Sequence, residues 1–217
     1  MIRVTAFRWV PPFAQGLVRD LRVRWALEEA GLPYEERLIG PEDQKSESYR
    51  RMQPFGQVPV YEEDGVELFE SGAIVLHIAE RSEVLMPTEP KARARTKTWM
   101  FAALNSMEQH LQHFVALDAF YANEEWAKLR RPSALEMAQT RLTSLASWLQ
   151  GREYLEDRFT AGDLLMTTVL RILRQTDLLE KMPVLDAYRK RCEARPAFQK
   201  ALAAQMAPFA KYAPPGK

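Results

Sequence analysis

The sequence predicts an α/β domain followed by an all-helical domain. Three observations carry this expectation. Short β-like runs, Ile2 to Phe7 and Tyr34 to Leu38, flank a helical pattern running from about Leu17 to Ala30. Two further short strands lie around Pro59 and after Gly65, and an apolar run at helical spacing follows Ser71. From Lys91 onward no strand pattern appears, only helical periodicity broken by Pro, Gly or charge.

Each element has its reason. Ile2 to Phe7 is a short β-like run, and Pro11 and Pro12 force the residues after it into a loop. Leu17, Val18, Leu21, Val23, Trp25, Ala26 and Leu27 recur at helical spacing, and Gly31 then Pro33 end that helix. Tyr34 to Leu38 is the second strand. Gly40 to Glu47 reads as polar loop, and Ser48 to Met52 as one or two helical turns. A β-α-β unit imposes a parallel pair with a crossover helix, and the closing hairpin adds antiparallel pairing. The order β-α-β, α, β-β-α is a thioredoxin-like layout of about 80 residues, within the usual domain size. We therefore expect a first domain at 1–82, a linker at 83–90 bracketed by Pro87 and Pro90, and a helical domain at 91–217. Its helices are expected from Lys91 to about Ala122, Ser133 to Leu149, Thr160 to about Thr176, Pro183 to Ala194 and Pro196 to Met206, with a loose tail at 213–217.

One stretch organises the first domain. Val58-Pro59-Val60, just after Pro54-Phe55-Gly56, places a proline that cannot donate to a ladder at a sheet edge or a special turn, and it is a candidate cis peptide. Glu70-Ser71-Gly72 then opens a helix, with Ser71 at the expected N-cap. Amides at such a start attract a carboxylate. Val58 can offer its N–H and C=O to an extended peptide.

This combination resembles the glutathione-binding half of the cytosolic glutathione transferase family. An α/β domain followed by an all-α domain is that family's architecture too. The resemblance implies glutathione as co-substrate. Val58 and Pro59, with Gln57 beside them, would meet its cysteinyl backbone. Glu70 and Ser71 would hold its γ-glutamyl end, and Lys45 its glycyl carboxylate. It also implies a homodimer, with Phe55 as a candidate anchor, and a buried capping box with a hydrophobic staple. That box is legible at Phe159-Thr160-Ala161-Gly162-Asp163-Leu164, where Thr160 and Asp163 can satisfy each other's amides.

The catalytic group is where the chain departs from the family. Members place a Tyr at the end of the first strand, or a Ser or Cys at the first helix. The corresponding positions here fall near Phe7 and Leu17, and no Ser, Thr, Tyr or Cys occurs from Ala6 to Pro33. Thiolate chemistry needs a donor, a cation or a helix start beside the sulfur. That leaves the first-helix amides, with Gln15 or Arg19 as side-chain help. Trp9 and Phe13 in the same loop, and Asn105 on the long helix, are candidates for the acceptor pocket. The expected activity is attack of the glutathione thiolate on an apolar electrophile. Non-catalytic ligand binding, isomerisation and dehalogenation are alternatives at the same site. A cysteine-based thiol–disulfide oxidoreductase is disfavoured, because no cysteine lies at the first helix.

Composition bounds the rest. The net charge is +1, which suggests neither a nucleic-acid nor an acidic-lipid partner. No apolar run approaches the ~20 residues that span a bilayer, and Met1 to Thr5 carry no signal-peptide character. One cysteine excludes an intramolecular disulfide, so a reducing cytoplasm is expected. Cys192 reads as a packed thiol. His77, His110 and His113 form no zinc spacing, and no metal is expected.

Overall fold

The computed structural model describes residues 1–214. Strand β1 (Ile2–Phe7) pairs in parallel with β2 (Tyr34–Ile39) from Ile2↔Tyr34 to Phe7↔Ile39. On its other side it pairs antiparallel with β3 (Val60–Glu63), and β3 pairs antiparallel with β4 (Val66–Phe69). The sheet order is β2-β1-β3-β4. Ile2, Val4, Thr5 and Ala6 are all buried, as befits a central strand covered on both faces. Helix α1 (Asp20–Ala30) follows β1 and ends at Gly31, whose φ of 66° is the left-handed cap a helix end favours.

Three boundaries differ from expectation. Helix α1 begins at Asp20, three residues later than Leu17, because the chain turns through Gly16 at φ 75° first. The segment expected as loop holds α2 (Pro41–Lys45), where Pro41 opens the turn and the Asp43 carboxylate accepts from Gly40 N–H at 2.8 Å. Helix α3 (Glu47–Met52) follows at once, capped by Ser46. Residue 71 is already the first residue of α4 (Ser71–Ala79), with Glu70 in the N-cap position.

The second unit, Pro87–Ala194, is helical. Helix α5 (Pro90–Phe101) runs through a π-helical segment at Ala102–Glu108 into α6 (Gln109–Phe120), the long helix anticipated from Lys91. It buries Met100, Met107, Leu111 and Phe114. Helix α7 (Glu125–Leu149) starts eight residues before the expected Ser133, because Pro132 sits inside it rather than breaking it. Helix α8 (Ala161–Leu170) is buried along its whole length and continues into a 3₁₀ turn at Arg171–Leu173. The predicted capping box is present: Gly162 N–H donates to Thr160 Oγ1 at 3.2 Å, and Thr160 N–H donates to Asp163 Oδ2 at 2.9 Å. Phe159 and Leu164, the staple pair, are both buried. Helix α9 (Pro183–Glu193) buries Cys192.

The division of the chain differs from 1–82, 83–90 and 91–217. Residues Met1–Met86 and Arg195–Lys217 form one compact unit. Helix α10 (Pro196–Lys211) belongs to the first unit because it packs on α1. Phe198 stacks edge-on against Trp25 with centroids 4.8 Å apart. Arg195 pairs with Glu29 through two contacts of 2.6 and 2.7 Å. Of the tail expected to be loose, residues 215–217 lie outside the described residues.

Candidate functional site

The Val58–Pro59 peptide bond is cis, as the sequence suggested. Strand β3 begins one residue later, at Val60, and is an inner strand, so the proline sits in the turn before the ladder and not within it or on a sheet edge. The antiparallel β1–β3 pairing, Arg3↔Glu62 and Val4↔Tyr61, brings the end of β1 to the start of β3. The side chains agree, since Phe7 packs against the cluster of Ile39, Tyr49, Val58 and Val60. Beyond the Val60↔Phe69 pair, Pro59 and Val58 on one side and Glu70 and Ser71 on the other leave the ladder at the same end of the sheet. The two motifs read from the sequence therefore meet at one end of the sheet.

The loop before Val58 is held rigidly. Tyr49 is buried, and its hydroxyl donates to the Gln57 carbonyl at 2.5 Å. Burial pushes that phenol up to about 12, so it stays a donor across the physiological range. Gln44 donates its amide to the Gly56 carbonyl, and Phe55 N–H donates to Gln53 Oε1 at 2.8 Å. Gly56 sits at φ 63°, and a Cβ there would lie 2.7 Å from Arg50 Cζ. The Gln57 side chain is exposed.

Glu70 holds φ 67° and ψ 112°, a backbone conformation that costs a non-glycine residue about 1–3 kcal/mol and clusters at ligand-binding positions. Its side chain makes no cap and is exposed to solvent. Ser71 is buried, and its Oγ accepts from Arg22 Nη1 at 3.2 Å. Arg22 is itself buried, 4% exposed. It brings a cation to the end of the sheet where Glu70 and Ser71 begin α4. Its signal was weak, since only the run of apolar residues around it hinted that this face of α1 is inside.

The other predicted residues are more dispersed. Trp9 and Phe13 lie in the β1–α1 loop, Phe13 at 48% exposure. Gln15 donates its amide to the Val10 carbonyl at 3.0 Å, so it braces that loop. Arg19 occupies the N-cap of α1 without a side-chain cap bond. The first turn of α1 carries buried Asp20, whose carboxylate pairs with Arg24 Nε at 2.7 Å and accepts from Gln205 at 2.7 Å. Burial pushes the Asp20 carboxyl up, and those partners and its own amide pull it back. The start of α1 is thus occupied by the chain's own carboxylate. Lys45 is exposed, 4.0 Å from Glu42. Asn105 lies in the helical unit on the π-helical segment, exposed, its carbonyl accepting from Gln109. Among the described residues no group of His, Cys, Asp and Glu could hold a metal ion, and no helix is long and apolar enough to cross a membrane.

The family described as "Glutathione S-transferase, N-terminal domain" matches residues 14–80. A glutathione S-transferase of Silene vulgaris is 30% identical over 213 residues, covering 85% of this chain and 92% of that protein. A relative from Escherichia coli K12 named disulfide-bond oxidoreductase YfcG is 29% identical over 193 residues, covering 81% and 86%. Among solved structures, a glutathione transferase family member from Pseudomonas fluorescens pf-5, described with two glutathione molecules bound, superposes with a TM-score of 0.81. It is 24% identical and covers 93% of this chain and 92% of that one. A glutathione transferase from Pseudomonas putida, described with glutathione disulfide bound, also reaches 0.81 at 21% identity, covering 93% and 90%.

Proposed function

The chain belongs to the glutathione S-transferase family, and on that premise we propose that it binds glutathione at the Val58–Glu70–Ser71 end of the sheet and transfers it to an apolar electrophile. The observation that carries the reading is the convergence of the cis Val58–Pro59 bond, just before β3, with a strained Glu70 and a Ser71 backed by Arg22. Val58 precedes β3 and lies outside its ladder, so its backbone suits pairing with a short extended peptide. A serine hydroxyl, a buried cation and helix-start amides suit the α-carboxylate of a γ-glutamyl group, and the exposed Glu70 suits its ammonium. Gln57 and Val58 would pair with the cysteinyl unit, and Lys45 would meet the glycyl carboxylate. Trp9 and Phe13 remain the proposed acceptor contacts. We assign the protein to the cytoplasm and to a homodimer, with Phe55 as an anchor; it is 63% exposed, its ring edge-on to Phe69. Sedimentation as a monomer at micromolar concentration would sink the dimer.

The test is calorimetric titration of glutathione into wild type and the double variant Glu70→Ala, Ser71→Ala. Losing charge-assisted hydrogen bonds should weaken binding by a few kcal/mol, about 1.5–3 for each. Equal affinities would reject the site. Saturable binding with no conjugation of any electrophile would leave a ligand-binding protein in place of an enzyme.

A second reading draws on the relative named as a disulfide-bond oxidoreductase. The lack of a first-helix cysteine argues only against a cysteine mechanism. Glutathione can supply both thiols. One thiolate attacks a disulfide sulfur and expels a substrate thiolate. A second glutathione then attacks the glutathione sulfur of the mixed disulfide, releasing the other thiol and glutathione disulfide. Turnover of a small dialkyl disulfide, with no thioether formed from electrophiles, would favour this reading over conjugation.

A further inference from the structure

The β1–α1 loop lacks any hydroxyl, yet the fold brings one to it from the other end of the chain. Gln205 on α10 donates to the Val18 carbonyl at 3.0 Å as well as to Asp20, which ties α10 to that loop. One residue past the end of α10 stands Tyr212. The Arg8 guanidinium lies 5.7 Å from the Tyr212 ring centroid, and Lys211 Nζ lies 5.2 Å from it. Arg8 is the first residue after β1, and its own N–H donates to the Ile39 carbonyl at 2.8 Å. Because β1 and β3 run antiparallel, Arg8 leaves the sheet at the end where β3 begins, the end that carries the Val58–Pro59 bond.

Both groups have capacity to spare. Among the described residues Arg8 approaches one carboxylate, Asp43, at 3.9 Å, beyond hydrogen-bonding distance. Other phenols of the same unit are committed or remote. Tyr49 and Tyr61 spend their hydroxyls on Gln57 and Glu63. Tyr34 pairs with Ile2 at the opposite end of β1. The Thr5 hydroxyl is fully buried inside β1. Tyr212, 40% exposed, remains, and it sits where β1 leaves the sheet.

We propose that Arg8 and Tyr212 together form the thiol-binding group, a guanidinium and a phenol from opposite ends of the chain that hold the cysteinyl sulfur of glutathione as a thiolate. The inference rests on the glutathione reading above. The sulfur proton leaves to solvent, and the resulting anion accepts from the Tyr212 hydroxyl and an Arg8 N–H. A cation and a hydroxyl donor at this point do the work that the buried, self-satisfied start of α1 does not. Gln15 then braces the loop and takes no part in ionisation.

The experiment titrates the ultraviolet absorbance of glutathione thiolate bound to wild type, Arg8→Met, Tyr212→Phe and Gln15→Ala. Binding of S-methylglutathione, which has no thiol to ionise, is measured in parallel. Arg8→Met and Tyr212→Phe should each raise the bound thiol's pKa by about one unit, a roughly tenfold loss of thiolate below that pKa. S-methylglutathione affinity should stay within about twofold in both, and Gln15→Ala should leave the pKa unchanged. A wild-type pKa retained in Arg8→Met and Tyr212→Phe overturns the inference. So does an equal loss of S-methylglutathione affinity in those two variants, which would mean that the pair holds the tripeptide body. Failure of wild type to bind glutathione at all would instead overturn the family-site reading.

Discussion

Removing the carboxylate of Asp163 should cost the helical unit several kcal/mol. Asp163 is fully buried. Its Oδ1 accepts from Leu155 N–H and from the Tyr188 hydroxyl, both at 2.9 Å, and its Oδ2 accepts from Thr160 N–H at 2.9 Å. Asp163→Ala removes the acceptor of two buried amides and of two buried hydroxyls, those of Tyr188 and Thr160. Each such loss costs about 1–3 kcal/mol, so roughly 3–6 kcal/mol in total once partial relaxation is allowed. A neutral isostere separates charge from bonding. Asp163→Asn keeps one acceptor oxygen but turns an NH₂ toward Thr160 N–H, so about 1–2 kcal/mol should be lost. The pH dependence follows from the pKa. Burial pushes this carboxyl up from 3.8 to about 6 against the pull of its donors. A raised folded-state pKa means that the contribution is full below the unfolded value and is lost as pH rises through the folded one. Wild-type stability should therefore fall relative to Asp163→Asn between about pH 4 and 6, erasing the wild-type advantage. Urea unfolding of the three proteins from pH 4 to 7, followed by circular dichroism, measures both effects. A cost below about 1 kcal/mol for Asp163→Ala, or a wild-type advantage flat across that pH range, would refute the reasoning.

Two further outcomes rest on packing in the first unit. Gly56→Ala combines a left-handed φ with a Cβ 2.7 Å from Arg50 Cζ, whereas Gly65→Ala has φ 85° and nothing within 4 Å. Thermal melts should show Gly56→Ala losing more than the ~1 kcal/mol expected of backbone strain alone, and Gly65→Ala only that; equal losses would mean Arg50 swings away freely. Phe198→Ala empties a fully buried site against Trp25 and should cost about 3–5 kcal/mol, with a red shift of Trp25 emission as water reaches the ring. A stability change under 1 kcal/mol would show that α10 does not need that contact.

Much of this was legible in the residues, and the failures share a physical cause. β1 was readable to the residue, because apolar side chains end at two prolines. The capping box of α8 was readable, because Thr160 and Asp163 sit three apart between apolar staples. Prolines misled where they were taken as breakers: Pro132 lies within α7 and Pro208 within α10. A proline removes one donor and crowds one carbonyl, but a helix fixed by tertiary contacts on both sides can absorb that cost of about 3 kcal/mol. The start of α1 was misplaced because Leu17 and Val18 fit the helical spacing, while Gly16 at φ 75° decides the geometry.

The placement of α10 is the feature that pattern reasoning could least supply, and it bears most on the site. Periodicity says that Phe198, Ala201 and Gln205 share a face but not which helix they meet. The answer lies in complementary groups far apart in sequence: Arg195 with Glu29, Lys200 with Glu28, Phe198 with Trp25, and Gln205 with Val18 and Asp20. Gln205 can satisfy a loop carbonyl and a buried carboxylate only if α10 lies along the start of α1. That position carries the end of the helix to Arg8. A sequence search for a catalytic group confined to the first 33 residues finds none, whereas the fold completes the first unit with residues beyond 195. The missing hydroxyl is therefore sought on α10 and the residues just after it, the segment whose contacts hold the β1–α1 loop in place.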